Sequence, residues 1–185
     1  MKRWVAAAII TLACTAARAA EPSVTGDWMV KDGYAIIRID NCNGKMWGIV
    51  AWEKAPGFDK DNPDPTKKGR PLLGTAVLMG LAPAKEPGHW TGDIYNSNDG
   101  GMYGATISLA DENTLDLSGC SKWFGFCQTQ QWTRVKTLPA NAAPLPPLKG
   151  AANPQGKQAP AKQAGAPAVS DTCQRVAEEQ ANSKK

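Results

Sequence analysis

The chain has 185 residues and a formal charge of +4, and three of its positive charges, Lys2, Arg3 and Arg18, fall in the first nineteen positions. The rest of the chain carries only +1, which excludes the basic footprint of a nucleic-acid binder or of a protein held on an anionic membrane surface. His89 is the only histidine, so a His-based zinc site or a Ser/His or Cys/His dyad would have to be built on it alone.

Residues 1–19 read as a secretory signal peptide. Lys2 and Arg3 form the positive end, Trp4 to Ala13 the apolar run, and Ala17-Arg18-Ala19 places small residues at −3 and −1 of a cleavage after Ala19. The apolar run is about half the roughly 20 residues that a membrane span needs, so stable membrane insertion is not expected. Cys14 after Leu12-Ala13 raises a lipoprotein signal, but Thr11 stands where a leucine is usual and the apolar run would be very short. The expected destination is the periplasm, with secretion as the other outcome of export.

The remainder divides by composition into a domain at 20–136, a Pro/Ala-rich linker at 137–170 and a tail at 171–185. The first part holds most of the aromatic and β-branched residues and is a normal size for one domain with its own core. In chain order, Val24–Val30 is strand-like and ends at Lys31-Asp32-Gly33. Tyr34–Ile39 closes on Asp40-Asn41-Cys42-Asn43-Gly44, whose Asn-Gly dipeptide predicts a hairpin into Lys45–Trp52. Residues 53–70 carry three prolines and a charge cluster and form the longest break. Strand chemistry resumes at Pro71–Leu81, with Gly74 as a bend. Trp90–Tyr95 and Met102–Leu109 then make the clearest hairpin, followed by strands at Thr114–Ser118 and Gln128–Val135.

Eight short strands joined mostly by short turns, with no amphipathic helix among them, predict an all-β, antiparallel, up-and-down barrel. Closure would remove the unpaired edges of such a sheet. Prolines at 139, 144, 146, 147, 154, 160 and 167 predict a disordered tail, with one short helix from Ser170 to Asn182, capped by Ser170 or Asp171, that would need a docking surface to persist. Four cysteines remain after the signal. Cys120 and Cys127 flank a short connection and are expected to bridge. Cys42 and Cys173 are left to pair, to stay free or to bond a partner protein.

The ordered motifs resemble the bacterial DUF2147 family. Those motifs are Gly26-x-Trp28, Cys42 in its Asn-x-Asn-Gly turn, Gly48-Ile-Val-x-Trp52, Asp61-Asn-Pro-Asp64 and Arg70-Pro-Leu-Leu-Gly74. Further on come Trp90-x-Gly-x-Ile-Tyr95-Asn, Gly101-x-x-Tyr103, Leu117-x-Gly-Cys120 and Gln130-x-Trp132-Thr-Arg134. The resemblance covers about residues 24–136 and implies an exported, lipocalin-like, calycin-type barrel whose role is undefined at family level. In such a barrel Gly26 allows close packing, Trp28 plugs the closed end and Arg134 lies across its indole, a structural trio. The family often carries a second cysteine at the position of Trp47, so Cys42 lacks that local partner here.

No catalytic constellation stands out, and neither an enzyme nor a cofactor is expected. There is no Gly-x-Ser-x-Gly and no phosphate loop. Asp59-x-Asp61-Asn62-x-Asp64 crowds oxygen ligands of the kind calcium takes. It fails as an EF-hand, with Asp64 where glycine is needed and Arg70 where a glutamate belongs, so no metal is expected. Glu53, Asp93 and Asp116 lie on strands and are expected to face solvent rather than to form a glycosidase pair. The aromatic set Trp47, Trp52, Trp90, Tyr95 and Tyr103 is the candidate lining of a pocket for a small apolar ligand or lipid. The alternative is a protein-interaction module of the cell envelope, reaching a partner through the 53–70 loop and the tail.

Overall fold

The computed structural model describes residues 22–122, 125–148 and 170–182. The expected signal at 1–19 and the linker stretch 149–169 lie outside them. Eight strands run in order: β1 Gly26–Met29, β2 Ala35–Cys42, β3 Lys45–Glu53, β4 Ala76–Pro83, β5 His89–Asn96, β6 Gly101–Asp111, β7 Thr114–Cys120 and β8 Cys127–Val135. Each pairs antiparallel with the next, and β8 returns to β1 through Trp28 opposite Arg134, so the sheet closes as a barrel. The predicted Asn-Gly hairpin is present between paired Cys42 and Lys45, with Asn43 and Gly44 both at positive φ, as a two-residue type I′ turn demands. The expected strand at 71–81 starts later. Residues 71–75 belong to a long connection, in which Pro71 makes only an isolated bridge to Phe58.

Alternation decides the two faces. Ile37, Ile39, Met46, Val50, Leu78, Ile107, Leu115, Leu117 and Trp132 meet inside the barrel. Their neighbours on the strands point outward. Turn positions alternate between the two ends. The starts of β1 and β7 and the end of β8 gather at one end, while the β5–β6 and β7–β8 turns and the 54–75 connection gather at the other.

The first end is shut by the expected trio. Trp28 is 0% exposed. Its indole N–H donates to the Val24 carbonyl at 2.9 Å. The Arg134 guanidinium stacks over the ring, 4.1 Å from its centroid. Arg134 also donates to the carbonyls of Thr25 (2.9 Å), Ser23 (2.6 Å) and Glu112 (2.5 Å), lacing the β6–β7 turn to the chain entering β1. Gly26 is at φ +123°, and a Cβ there would come within 2.8 Å of the guanidinium, so both the backbone and the close approach require glycine.

The short helix expected in the tail is present and has its docking surface: Asp171–Asn182 forms helix α1, which lies on the outer faces of β2, β3 and β4. Its Val176 packs on Ile49 and Ala76, with Trp47 and Leu145 beside them. The Ser170 hydroxyl accepts the backbone N–H of Cys173 at 3.2 Å, the capping predicted from sequence. Arg175 holds the incoming chain by donating to the Pro146 carbonyl at 2.5 Å. A twelve-residue helix is marginal alone, and this one has a surface and a covalent tie.

The tie is a disulfide between Cys42 and Cys173, with Cα atoms 5.4 Å apart. Cys42 therefore finds its partner 131 residues away rather than locally, and Trp47 lies under the helix that the bridge brings in. A second disulfide joins Cys120 and Cys127, which are directly paired across the β7–β8 hairpin. Because the barrel closes without α1, replacing both Cys42 and Cys173 by serine is expected to free the helix and spare the barrel. Amide exchange in 171–182 should become nearly unprotected while the central strands keep their protection. Equal loss across β1–β8 would show that the bridge holds the whole fold.

Candidate functional site

At the end of the barrel opposite Trp28 the interior opens into a cavity of about 490 Å³. Ile94 and Leu117 form its apolar floor, continuous with the core. Gln128 and Gln130 line it from β8. Gln130 pairs in register with Leu117 and therefore shares its inward face. The Gln130 amide oxygen accepts the Trp132 indole N–H at 3.2 Å, which leaves its amide NH₂ as a donor.

Asn96, Asp99 and Tyr103 build the rim at the β5–β6 turn. The Asp99 carboxylate accepts from the Tyr103 hydroxyl (2.7 Å), the Asn96 amide (2.8 Å) and the Gly101 backbone N–H (2.7 Å). The Tyr103 hydroxyl is raised above its ordinary pKa, first by that bond to Asp99.

A polar hub stands beside this opening. The 54–75 connection folds back on itself, with the Asp59 backbone N–H donating to the Arg70 carbonyl at 2.9 Å. Asp59 is fully buried. One carboxylate oxygen accepts the Tyr95 hydroxyl at 2.5 Å, and the other accepts Asn62 at 2.7 Å and Arg70 Nε at 3.1 Å. Arg70 also reaches α1 through Glu179 at 2.6 Å. The connection lies directly on the β5–β6 turn: a Cβ at Gly100 would collide with the Asp61 carbonyl. Helix, connection and cavity rim are thus joined by one series of charged and hydrogen-bonded groups.

The five candidate aromatics do not form one cup. Tyr103 lies on the inward face opposite Ile94 and lines the cavity. Tyr95 points to the outer face, opposite Met102, and is only 6% exposed because the 54–75 connection covers it; it reaches the cavity at the rim. Trp90 pairs with Ile107 and packs on the core toward the closed end, below the cavity. Trp52 is buried at the end of β3 opposite Ile36. Trp47 is outside the barrel, because Met46 and Val50 take the inward positions on β3; it lines an outer groove against α1. Aromatic count alone could not assign faces on a strand that is apolar on both. Gln128 and Gln130 were missed, although their alternation with Trp132 was legible.

The acidic candidates are all engaged. Asp93 pairs with Lys122 at 2.6 Å and Asp116 accepts from Gln131 at 3.0 Å, both on the outer surface. Glu53 accepts the backbone N–H groups of Gly57 and Leu73, anchoring the ends of the connection, while burial raises its pKa. In the Asp59–Asp64 cluster the Asp59 oxygens are filled as above and Asp64 accepts from Thr66. Among the described residues no group of three or more His, Cys, Asp or Glu side chains is arranged to hold a metal ion.

The family model described as "Uncharacterized protein conserved in bacteria (DUF2147)" matches residues 26–134, which is the barrel from the first residue of β1 to the arginine that closes it. The chain belongs to the DUF2147 family. The α1 helix, with its Cys173, lies beyond the matched DUF2147 segment, whereas the disulfide partner Cys42 lies within it. No curated protein matches the chain. Among solved structures, the DUF2147 barrel is similar to the Helicobacter pylori protein HP1028, described as belonging to the lipocalin family. The TM-score is 0.55 at 20% identity, covering 61% of this chain and 83% of that one. At that identity the likeness shows the fold alone. Among the described residues no helix is long and apolar enough to cross a membrane.

Proposed function

We propose that this DUF2147 protein is an exported binding protein of the cell envelope that takes a small ligand into the open end of its barrel and performs no catalysis on it. The observation that carries the reading is the asymmetry of the barrel interior. One end is plugged by Trp28 under Arg134, and the other holds a cavity of about 490 Å³. That is the size and one-mouthed shape of a small-molecule site. The expected apolar ligand needs refinement on this reading, because the floor is apolar while the rim carries amides, a hydroxyl and a carboxylate. The two disulfides fit an oxidising compartment such as the periplasm.

The adaptor reading loses ground at its tail. Residues 170–182 are bound to their own barrel by a disulfide, the Arg70–Glu179 ion pair and the seat of Val176.

Trp132 lies beneath Gln130 and makes a built-in reporter. Titration with amphiphiles of increasing chain length is expected to change tryptophan fluorescence and raise the melting temperature. Ligand at a hundred times Kd would add about 2.7 kcal/mol of stability. A panel of lipids, fatty alcohols and hydrophobic dyes that produces neither change would refute the binding role.

A further inference from the structure

The chemistry of the cavity wall bears on the ligand's head group, an inference that rests on the binding role proposed above. The polar groups around the mouth include the amides of Gln128 and Gln130, the amide of Asn96, the hydroxyl of Tyr103 and the carboxylate of Asp99. Among the described lining residues there is no lysine, arginine or histidine. The nearby Lys122 lies on the outer surface, paired with Asp93. The formal charge these lining residues bring to the cavity is therefore negative.

An ionised head group drawn into this site would lose water without gaining an opposite charge, and a carboxylate would also lie beside that of Asp99. The three hydrogen atoms that the Tyr103 hydroxyl, the Asn96 amide and the Gly101 N–H direct at Asp99 are engaged there and do not serve a second anion. An amide or alcohol head meets a better match. Gln128 offers both a donor and an acceptor and Gln130 its amide NH₂, and a neutral head can use these without charge desolvation.

We propose that the cup selects by head-group charge: it takes an amphiphile with an apolar body and an uncharged, hydrogen-bonding head, and discriminates against the carboxylate of an ordinary fatty acid. Ile94 and Leu117 receive the body, and Gln128 and Gln130 receive the head. Charge in the mouth, rather than chain length, then sets specificity.

The test is calorimetric titration of the full disulfide-bonded protein with a saturated primary amide and the carboxylate of the same chain length, at neutral pH and below their aggregation limits. The amide is expected to bind, with the carboxylate roughly tenfold weaker. Gln128→Lys, at an exposed position that the fold does not need, should narrow or reverse the gap by strengthening carboxylate binding. Equal or tighter binding of the carboxylate to the unaltered protein would overturn charge selection while leaving the cavity as a ligand site. So would a gap that Gln128→Lys leaves unchanged. Binding of neither compound would overturn the head-group assignment, and failure of the whole lipid, alcohol and dye panel as well would remove the binding role.

Discussion

Trp28→Ala is expected to cost about 4 kcal/mol of stability, a large share of the roughly 5–15 kcal/mol that holds a domain of this size. The indole is wholly buried at the closed end, and Arg134 above it is held in place by three carbonyl acceptors. Two further losses come with the side chain. The cation–π contact with Arg134 contributes about 0.5–2 kcal/mol, and the Val24 carbonyl loses its donor. Trp28→Phe separates these effects, since it keeps most of the apolar volume and removes the hydrogen bond. Urea unfolding should place Phe between the unaltered protein and Ala. A loss below about 1.5 kcal/mol for Trp28→Ala would mean that the closed end is held mainly by the strands, outside the range of well-packed aromatic truncations.

Asp59→Ala is expected to release the 54–75 connection while leaving the barrel folded. Removing one member of a buried ion pair costs about 3–5 kcal/mol, because the partner's charge is left uncompensated. Here Arg70 keeps Glu179, whereas the Tyr95 hydroxyl loses its acceptor and Asn62 loses its anchor. Amide exchange should therefore quicken through residues 57–75, and protection in β1, β7 and β8 should persist. Uniform destabilisation of all eight strands would place Asp59 in the global core instead.

The same contact gives a pH signature. Tyr95 is pushed up to about 12 from 10.0, chiefly by burial and then by the hydrogen bond and charge of Asp59. The native state thus holds this proton more tightly than the unfolded chain. Its contribution to stability is complete below about pH 10 and is lost as pH rises toward about 12. In Asp59→Ala only burial remains of the causes that raise it. The tyrosinate absorbance of Tyr95, isolated by difference from Tyr95→Phe, should then emerge at lower pH than in the unaltered chain.

These two sites also mark how far the sequence could be read. The Trp28–Arg134 closure was legible through the family resemblance, whose Gly26-x-Trp28 and Trp132-Thr-Arg134 motifs imply it at the two ends of the run of strands. A barrel brings those two ends together, through Trp28 opposite Arg134. The Asp59 hub was not legible. Its partners lie 3, 11 and 36 residues away, and Arg70 extends the series by a further 109 to Glu179. The acidic cluster around it also resembled a cation loop. The candidate site was half legible: Tyr103 lines the cavity and Tyr95 reaches its rim, while the three tryptophans went to core or outer positions.

What the sequence determined by itself was everything set by local rules. Alternation, turn dipeptides and spacing defined eight strands, their meander order, the Asn43-Gly44 hairpin and the Cys120–Cys127 pair. Only the tertiary structure decided which face of β3 turned inward, because Trp47 and Trp52 sit among apolar neighbours on both alternating sets. It also decided that α1 would dock. A twelve-residue helix at the far end of a Pro/Ala-rich stretch has no local reason to settle on a barrel. What holds it is a bridge spanning 131 residues and a seat made by Ile49 and Ala76, outward positions that only the closed sheet brings side by side.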